Sequence, residues 1–129
     1  MKILVAEDEP ELLRFYKILF EDLGNEVVTA RDGKECWDAY LAGFGSNGES
    51  SFDLVILDHR MPRMNGMEVA NEIAKINRLQ KQLMITAFEG VLDQTQKPAN
   101  LEIIAKPFDL DELVIKIKNL AGGLRGDRK

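Results

Sequence analysis

Five side chains in this sequence have the types and positions that phosphoryl chemistry needs. Glu7 and Asp8 follow the apolar run Ile3-Leu4-Val5-Ala6, and Asp58 follows Leu54-Val55-Ile56-Leu57. Thr86 ends the run begun at Leu83, and Lys106 follows Leu101 to Ala105. Gathered at one place, three carboxylates repel strongly unless a cation compensates them. Mg²⁺ suits that task, because it takes oxygen ligands from one or two carboxylates, keeps several waters and accepts phosphate oxygens. One cysteine and one histidine in the whole chain disfavour zinc. The remaining ionised carboxylate is then a nucleophile toward phosphorus. The metal, the Lys106 ammonium and the Thr86 hydroxyl share the developing charge, and no separate base is required.

Each of these residues has a plainer explanation. Glu7 and Asp8 suit the positive end of a following helix, but that leaves Asp58 unexplained. Thr86 is also an ordinary strand terminus, and Lys106 an ordinary solvated lysine. His59 beside Asp58 invites a catalytic role, yet its place at a strand end favours a surface side chain that tunes access to the site.

The gathering depends on the elements that carry these residues. Ile3 to Ala6, Val27 to Ala30, Phe52 to Leu57, Leu83 to Thr86 and Leu101 to Ala105 are short apolar runs of the kind that strands covered on both faces produce. Between them lie helical patterns. Pro10 opens one with Leu12, Leu13, Phe15, Tyr16, Leu19, Phe20 and Leu23 at helical spacing, closed by Gly24. Gly33 to about Ala42 forms a second, with Cys36, Trp37, Tyr40 and Leu41 inward, and Met67 to Asn77 a third, with Val69, Ile73 and Ile76 inward. A fourth, between Phe88 and Asn100, is expected to be short or irregular because Pro98 forbids regular helix there. Asp109 caps a fifth carrying Leu113, Val114, Ile117 and Leu120. Gly43 to Ser51 reads as an exposed loop.

Strict alternation of this kind predicts an α/β fold, a parallel sheet with right-handed crossovers and helices on both faces. Sites in such sheets lie beyond the C-terminal strand ends. Glu7, Asp8, Asp58, Thr86 and Lys106 all occupy such ends.

Composition bounds the rest. A chain of 129 residues, 45% apolar and 30% charged, is one ordinary domain, taken as residues 1–121 with 122–129 as a flexible tail or linker stump. The net charge of −5 argues against direct nucleic-acid binding. No apolar run reaches the length of a membrane span, so a cytoplasmic location is expected. The lone Cys36 reads as a small buried thiol.

The ordered motifs Ile3-Leu4-Val5-Ala6-Glu7-Asp8-Glu9-Pro10, Asp58-x-x-Met61-Pro62-x-x-x-Gly66, Thr86-Ala87 and Lys106-Pro107-Phe108 resemble the receiver domain of two-component response regulators, from about Lys2 to Leu120. The resemblance implies a flavodoxin-like five-stranded sheet of order 2-1-3-4-5. It implies that Asp58 accepts phosphate from a phosphohistidine on a histidine kinase or histidine phosphotransfer protein. It further implies that Asp8, Asp58 and the Arg60 carbonyl ligate Mg²⁺, with Glu7 reaching the metal mainly through water. Thr86 and Lys106 would bind phosphoryl oxygens, the Lys106-Pro107 bond would be cis, and a separate downstream protein would read the switched surface. Homodimerisation is compatible with this but not assumed.

Four positions stand out against the family pattern. Ile103 stands where receivers often carry an aromatic residue that moves with the threonine, so that coupling is in question. Pro98 disturbs the segment before the fifth strand. Arg60 and Phe88 are bulky where the family modulates attack by water on the acyl phosphate, so they are expected to shield the phosphorus. A phosphatase using Asp58 as covalent nucleophile stays open as a second reading, although position 60 offers Arg rather than a second Asp. A constitutive interaction module is a third.

Overall fold

The computed structural model of the chain describes residues 1–45, 49–87, 97–106 and 108–125, with 121–125 as backbone. Five strands, β1 (Lys2–Ala6), β2 (Glu26–Ala30), β3 (Leu54–Asp58), β4 (Gln82–Thr86) and β5 (Leu101–Ala105), form one sheet in the order β2-β1-β3-β4-β5. Every pairing is parallel. Four helices are described, α1 (Pro10–Asp22), α2 (Gly33–Ala42), α3 (Gly66–Ile76) and α4 (Leu110–Arg125). The irregular helix expected after Phe88 falls on 88–96, outside the described residues.

Alternation along the strands divides the core in two. Ile3, Val5, Leu54, Ile56, Leu83 and Ile85 pack with Leu13, Tyr16 and Phe20 of α1 and with Leu113 and Ile117 of α4. Leu4, Ala6, Val55, Leu57 and Met84 face Cys36 and Tyr40 of α2 and Val69, Ala70 and Ile73 of α3. Each large aliphatic side chain buried this way contributes about 1.5–3 kcal/mol. The continuous apolar runs are therefore what a sheet covered on both sides requires.

Local signals set the helix starts. Pro10 occupies the first turn of α1. The Asp32 side chain accepts the Glu35 N–H at 2.7 Å at the head of α2, and Asn65 with Glu68 closes a reciprocal capping box on α3. Asp109 accepts the Glu112 N–H at 2.9 Å at the head of α4.

Some expected positions differ. Leu41 and Ile76 are exposed rather than inward; Leu41 stands one step of about 100° past the buried Tyr40, which carries it off the inner face, and Ile76 is the last residue of α3. The last helix continues past Leu120 to Arg125, through residues expected as tail, because extending a formed helix costs far less than nucleating one, even through glycine. The loop after α2 is anchored by a Phe44–Ser50 bridge and by Phe44 against Tyr40. No described helix is long and apolar enough to cross a membrane.

A buried polar chain joins α2 to the far end of the sheet. The Tyr40 hydroxyl donates to Gln80 Oε1 at 2.8 Å and accepts from Asn77 Nδ2 at 3.2 Å, while Gln80 Nε2 donates to the Phe52 carbonyl at 3.1 Å. Tyr40→Phe leaves Gln80 Oε1 buried without its donor, which costs about 1–3 kcal/mol. Chemical denaturation should show that loss with an unchanged m-value, and an unchanged midpoint would contradict the role given to the hydroxyl.

Candidate functional site

Register places the five sequence-selected residues on one rim. Ala6 lies opposite Leu57, Asp58 opposite Ile85 and Thr86 opposite Ala105. The chain leaving β1 therefore brings Glu7 and Asp8 beside Asp58, and the chain leaving β5 brings Lys106 beside Thr86. Glu7 and Asp58 continue the Ile3-Val5 and Leu54-Ile56 alternation, so both lie on the α1 side of the sheet.

Carboxylate oxygens of Glu7, Asp8 and Asp58 lie within 4.8 Å of one another, with Asp8 exposed and the other two buried. Lys106 Nζ stands 3.8 Å from Asp58 Oδ1. Thr86 is buried at the end of β4, and its carbonyl accepts the Lys106 N–H at 2.7 Å. That bond fixes where the lysine leaves the sheet.

Burial and like charge shape the acidities. The Glu7 carboxyl is pushed up to about 7, mainly by burial, with the Asp58 charge adding and Lys106 opposing. Burial also raises Asp58; Lys106 draws it down and Asp8 pushes it up. The buried Tyr16 phenol of α1, in the core on the same side of the sheet, is raised by burial first and then by the Glu7 and Asp58 charges. The sequence pattern marks Tyr16 only as core.

Glu7 Oε2 accepts the Glu9 N–H at 3.1 Å, whereas Glu7 Oε1 is buried with no hydrogen-bond partner. An orphaned carboxylate oxygen beside two further carboxylates is a donor set that fits a hard cation. The cluster can hold a metal ion.

The turn after Asp58 is tightly built. The His59 N–H donates to the Ile85 carbonyl at 3.0 Å, and the His59 carbonyl accepts from Gly66 N–H at 2.8 Å. A Cβ on Gly66 would stand 2.5 Å from the Asp58 carbonyl oxygen, so only glycine lets α3 start this close to the end of β3. His59 is half-buried and Arg60 exposed. Phe88 and Pro107, and with them the cis bond and half of the expected shield, lie outside the described residues.

Known proteins share this fold. Residues 3–118 match the response regulator receiver domain family. The response regulator ArlR of Staphylococcus saprophyticus is 33% identical over 122 residues, covering 91% of this chain and 50% of that protein. The chain thus spans about half the length of the curated relatives it matches. A response regulator receiver domain protein from Clostridium thermocellum superposes with a TM-score of 0.82 at 33% identity, over 96% of both chains. TrrA from Thermotoga maritima, solved in complex with Mg²⁺-BeF, superposes with a TM-score of 0.77 at 34% identity, over 92% of this chain and 97% of its own. With a doubly wound sheet of order 2-1-3-4-5, an acidic rim and this match, the chain belongs to the response regulator receiver family of two-component systems, in which the phosphoacceptor role is general.

Proposed function

We propose that Asp58 is the phosphoacceptor of this receiver, charged by a histidine kinase or histidine phosphotransfer protein in the cytoplasm. The observation that carries this reading is the 3.8 Å approach of Lys106 Nζ to an Asp58 carboxylate that sits within the acidic cluster. An Asp58 oxygen attacks the phosphorus of the donor, the P–N bond breaks, and the imidazole leaves with the electron pair and takes up a proton. The product is an acyl phosphate on Asp58. Thr86 and Lys106 lie where they can bind phosphoryl oxygens, and the ammonium offsets charge that the rim's carboxylates would otherwise oppose. Asp8, Asp58 and the Arg60 carbonyl are the ligands proposed for Mg²⁺, with Glu7 held through water, in line with TrrA solved with Mg²⁺-BeF. When bound, Mg²⁺ supplies Lewis-acid compensation for the attacking carboxylate and the transferring group.

Signal readout would use the ground beside Lys106. Ile103, Ile104, Ala105, Ile115 and Lys116 line a groove between β5 and α4 that adjoins the lysine. A separate downstream protein seated there would sense the charge placed on Asp58. Hydrolysis of the acyl phosphate would be governed by the exposed Arg60 and by Phe88.

Intact mass after incubation with acetyl phosphate and Mg²⁺ tests the assignment. Wild type should gain one phosphoryl mass and Asp58→Ala none; a wild type that gains nothing overturns the phosphoacceptor reading. Rapid turnover of unrelated phosphomonoesters would instead favour a phosphatase.

The acidity of Glu7 yields a second test. Its folded pKa of about 7 lies above the ordinary 4.5, so the folded chain binds this proton more tightly than the unfolded chain. The protonated form contributes stability that is complete below the unfolded value and lost as pH rises through about 7. A ligated cation favours the ionised form and reverses that loss. Adding Mg²⁺ should therefore raise Tm by several degrees at about pH 8 and by clearly less at about pH 5.5. Equal shifts at the two pH values would contradict the placement of Glu7 at the metal.

A further inference from the structure

The turn that carries the nucleophile's neighbours rests on a different element, the head of α2. A Cβ built on Gly33 would overlap the Met64 carbonyl and lie 2.7 Å from the Met64 Cβ. Two main chains therefore touch, and no other residue type allows it. Beside this contact Arg63 Nη1 lies 3.8 Å from Asp32 Oδ2, the residue that also caps α2.

Arg63 itself has φ of +73°, and among the described residues it is the only non-glycine with positive φ. The Met64 N–H donates to the Pro62 carbonyl at 2.9 Å. A three-residue turn closed this way about a residue of positive φ is rare and strained. Such strain persists only where the surroundings over-determine it. Here the surroundings are Gly33 under Met64, Asp32 on Arg63, buried Met61, and Gly66 against Asp58.

We infer that Gly33 is a positioning residue for the metal site: by seating the Met64 main chain on α2, it holds the 59–66 turn and its Arg60 carbonyl at the acidic cluster. The inference rests on the ligand role proposed above for that carbonyl. Groups that hold metal ligands in place influence affinity strongly even though they never touch the ion.

Calorimetric titration of Mg²⁺ into the folded protein, with no phosphodonor present, reads this directly. Gly33→Ala should weaken Mg²⁺ binding about tenfold or more. Gly43→Ala is the matched control, since its Cβ would stand 2.7 Å from Phe52 Cε2 and 2.8 Å from Ser51 Oγ at the opposite end of α2. It should cost stability yet leave Mg²⁺ affinity within about twofold of wild type. Should Gly33→Ala fail to fold, the exposed Arg63 gives a second pair. Arg63→Gly accepts the positive φ, whereas Arg63→Val opposes it, so the valine variant should bind Mg²⁺ several-fold more weakly than the glycine variant. Unchanged affinity in folded Gly33→Ala, an equal loss in Gly43→Ala, or equal affinities in the Arg63 pair overturns the positioning role alone. A wild type that binds no Mg²⁺ overturns the metal site itself.

Discussion

Glu7, Asp8 and Asp58 present oxygens within 4.8 Å of one another, two of them on buried side chains, and the surrounding structure answers to that concentration of like charge. Water screens it only in part, because Glu7 and Asp58 are buried while Asp8 is exposed. What compensates is directional: the Lys106 ammonium stands 3.8 Å from Asp58 Oδ1, and the acids, one of them with a buried oxygen that lacks a hydrogen-bond partner, can take up a cation. A bare cluster of this kind is poorly stable and a filled one favourable, so the energy of the acidic rim is available to whatever positive charge arrives. The raised pKa values of Glu7 and Asp58 express the same tension.

The fold was readable because its signals are local. Five short apolar runs alternating with helical patterns read as the strands of a covered parallel sheet, and the acids after the first and third identify the rim without knowledge of any distance. The limits of the elements were less certain, as β3 shows: Phe52 is buried and apolar, yet the strand begins at Leu54. Leu41 and Ile76 look inward by type and are exposed, Leu41 through its helix phase and Ile76 through its place as the last residue of α3. Leu79, almost fully outside the core, likewise shows that an apolar residue type is a weak indicator of burial at the end of an element.

The main-chain contacts around the rim were harder to see than its side chains. Gly66 stands in a recognisable turn motif, but Gly33 reads only as a helix start. Its contact with Met64 joins segments far apart in sequence and passes between main chains, so no side-chain pattern records it. The same holds for Tyr16, a core aromatic by spacing whose phenol also feels the Glu7 and Asp58 charges. Sequence reports what a side chain prefers; proximity across the fold has to be observed.

The rim draws its residues from the ends of four strands, and the last of them, Lys106, leaves the edge strand β5. During synthesis the acids of β1 and the aspartate of β3 emerge well before the lysine that balances them. Until β5 docks against β4, the site lacks its protein-borne cation and the Thr86–Lys106 main-chain bond that aims it. Completion of the sheet thus brings the rim its ammonium, and a partly folded chain presents the acids without it.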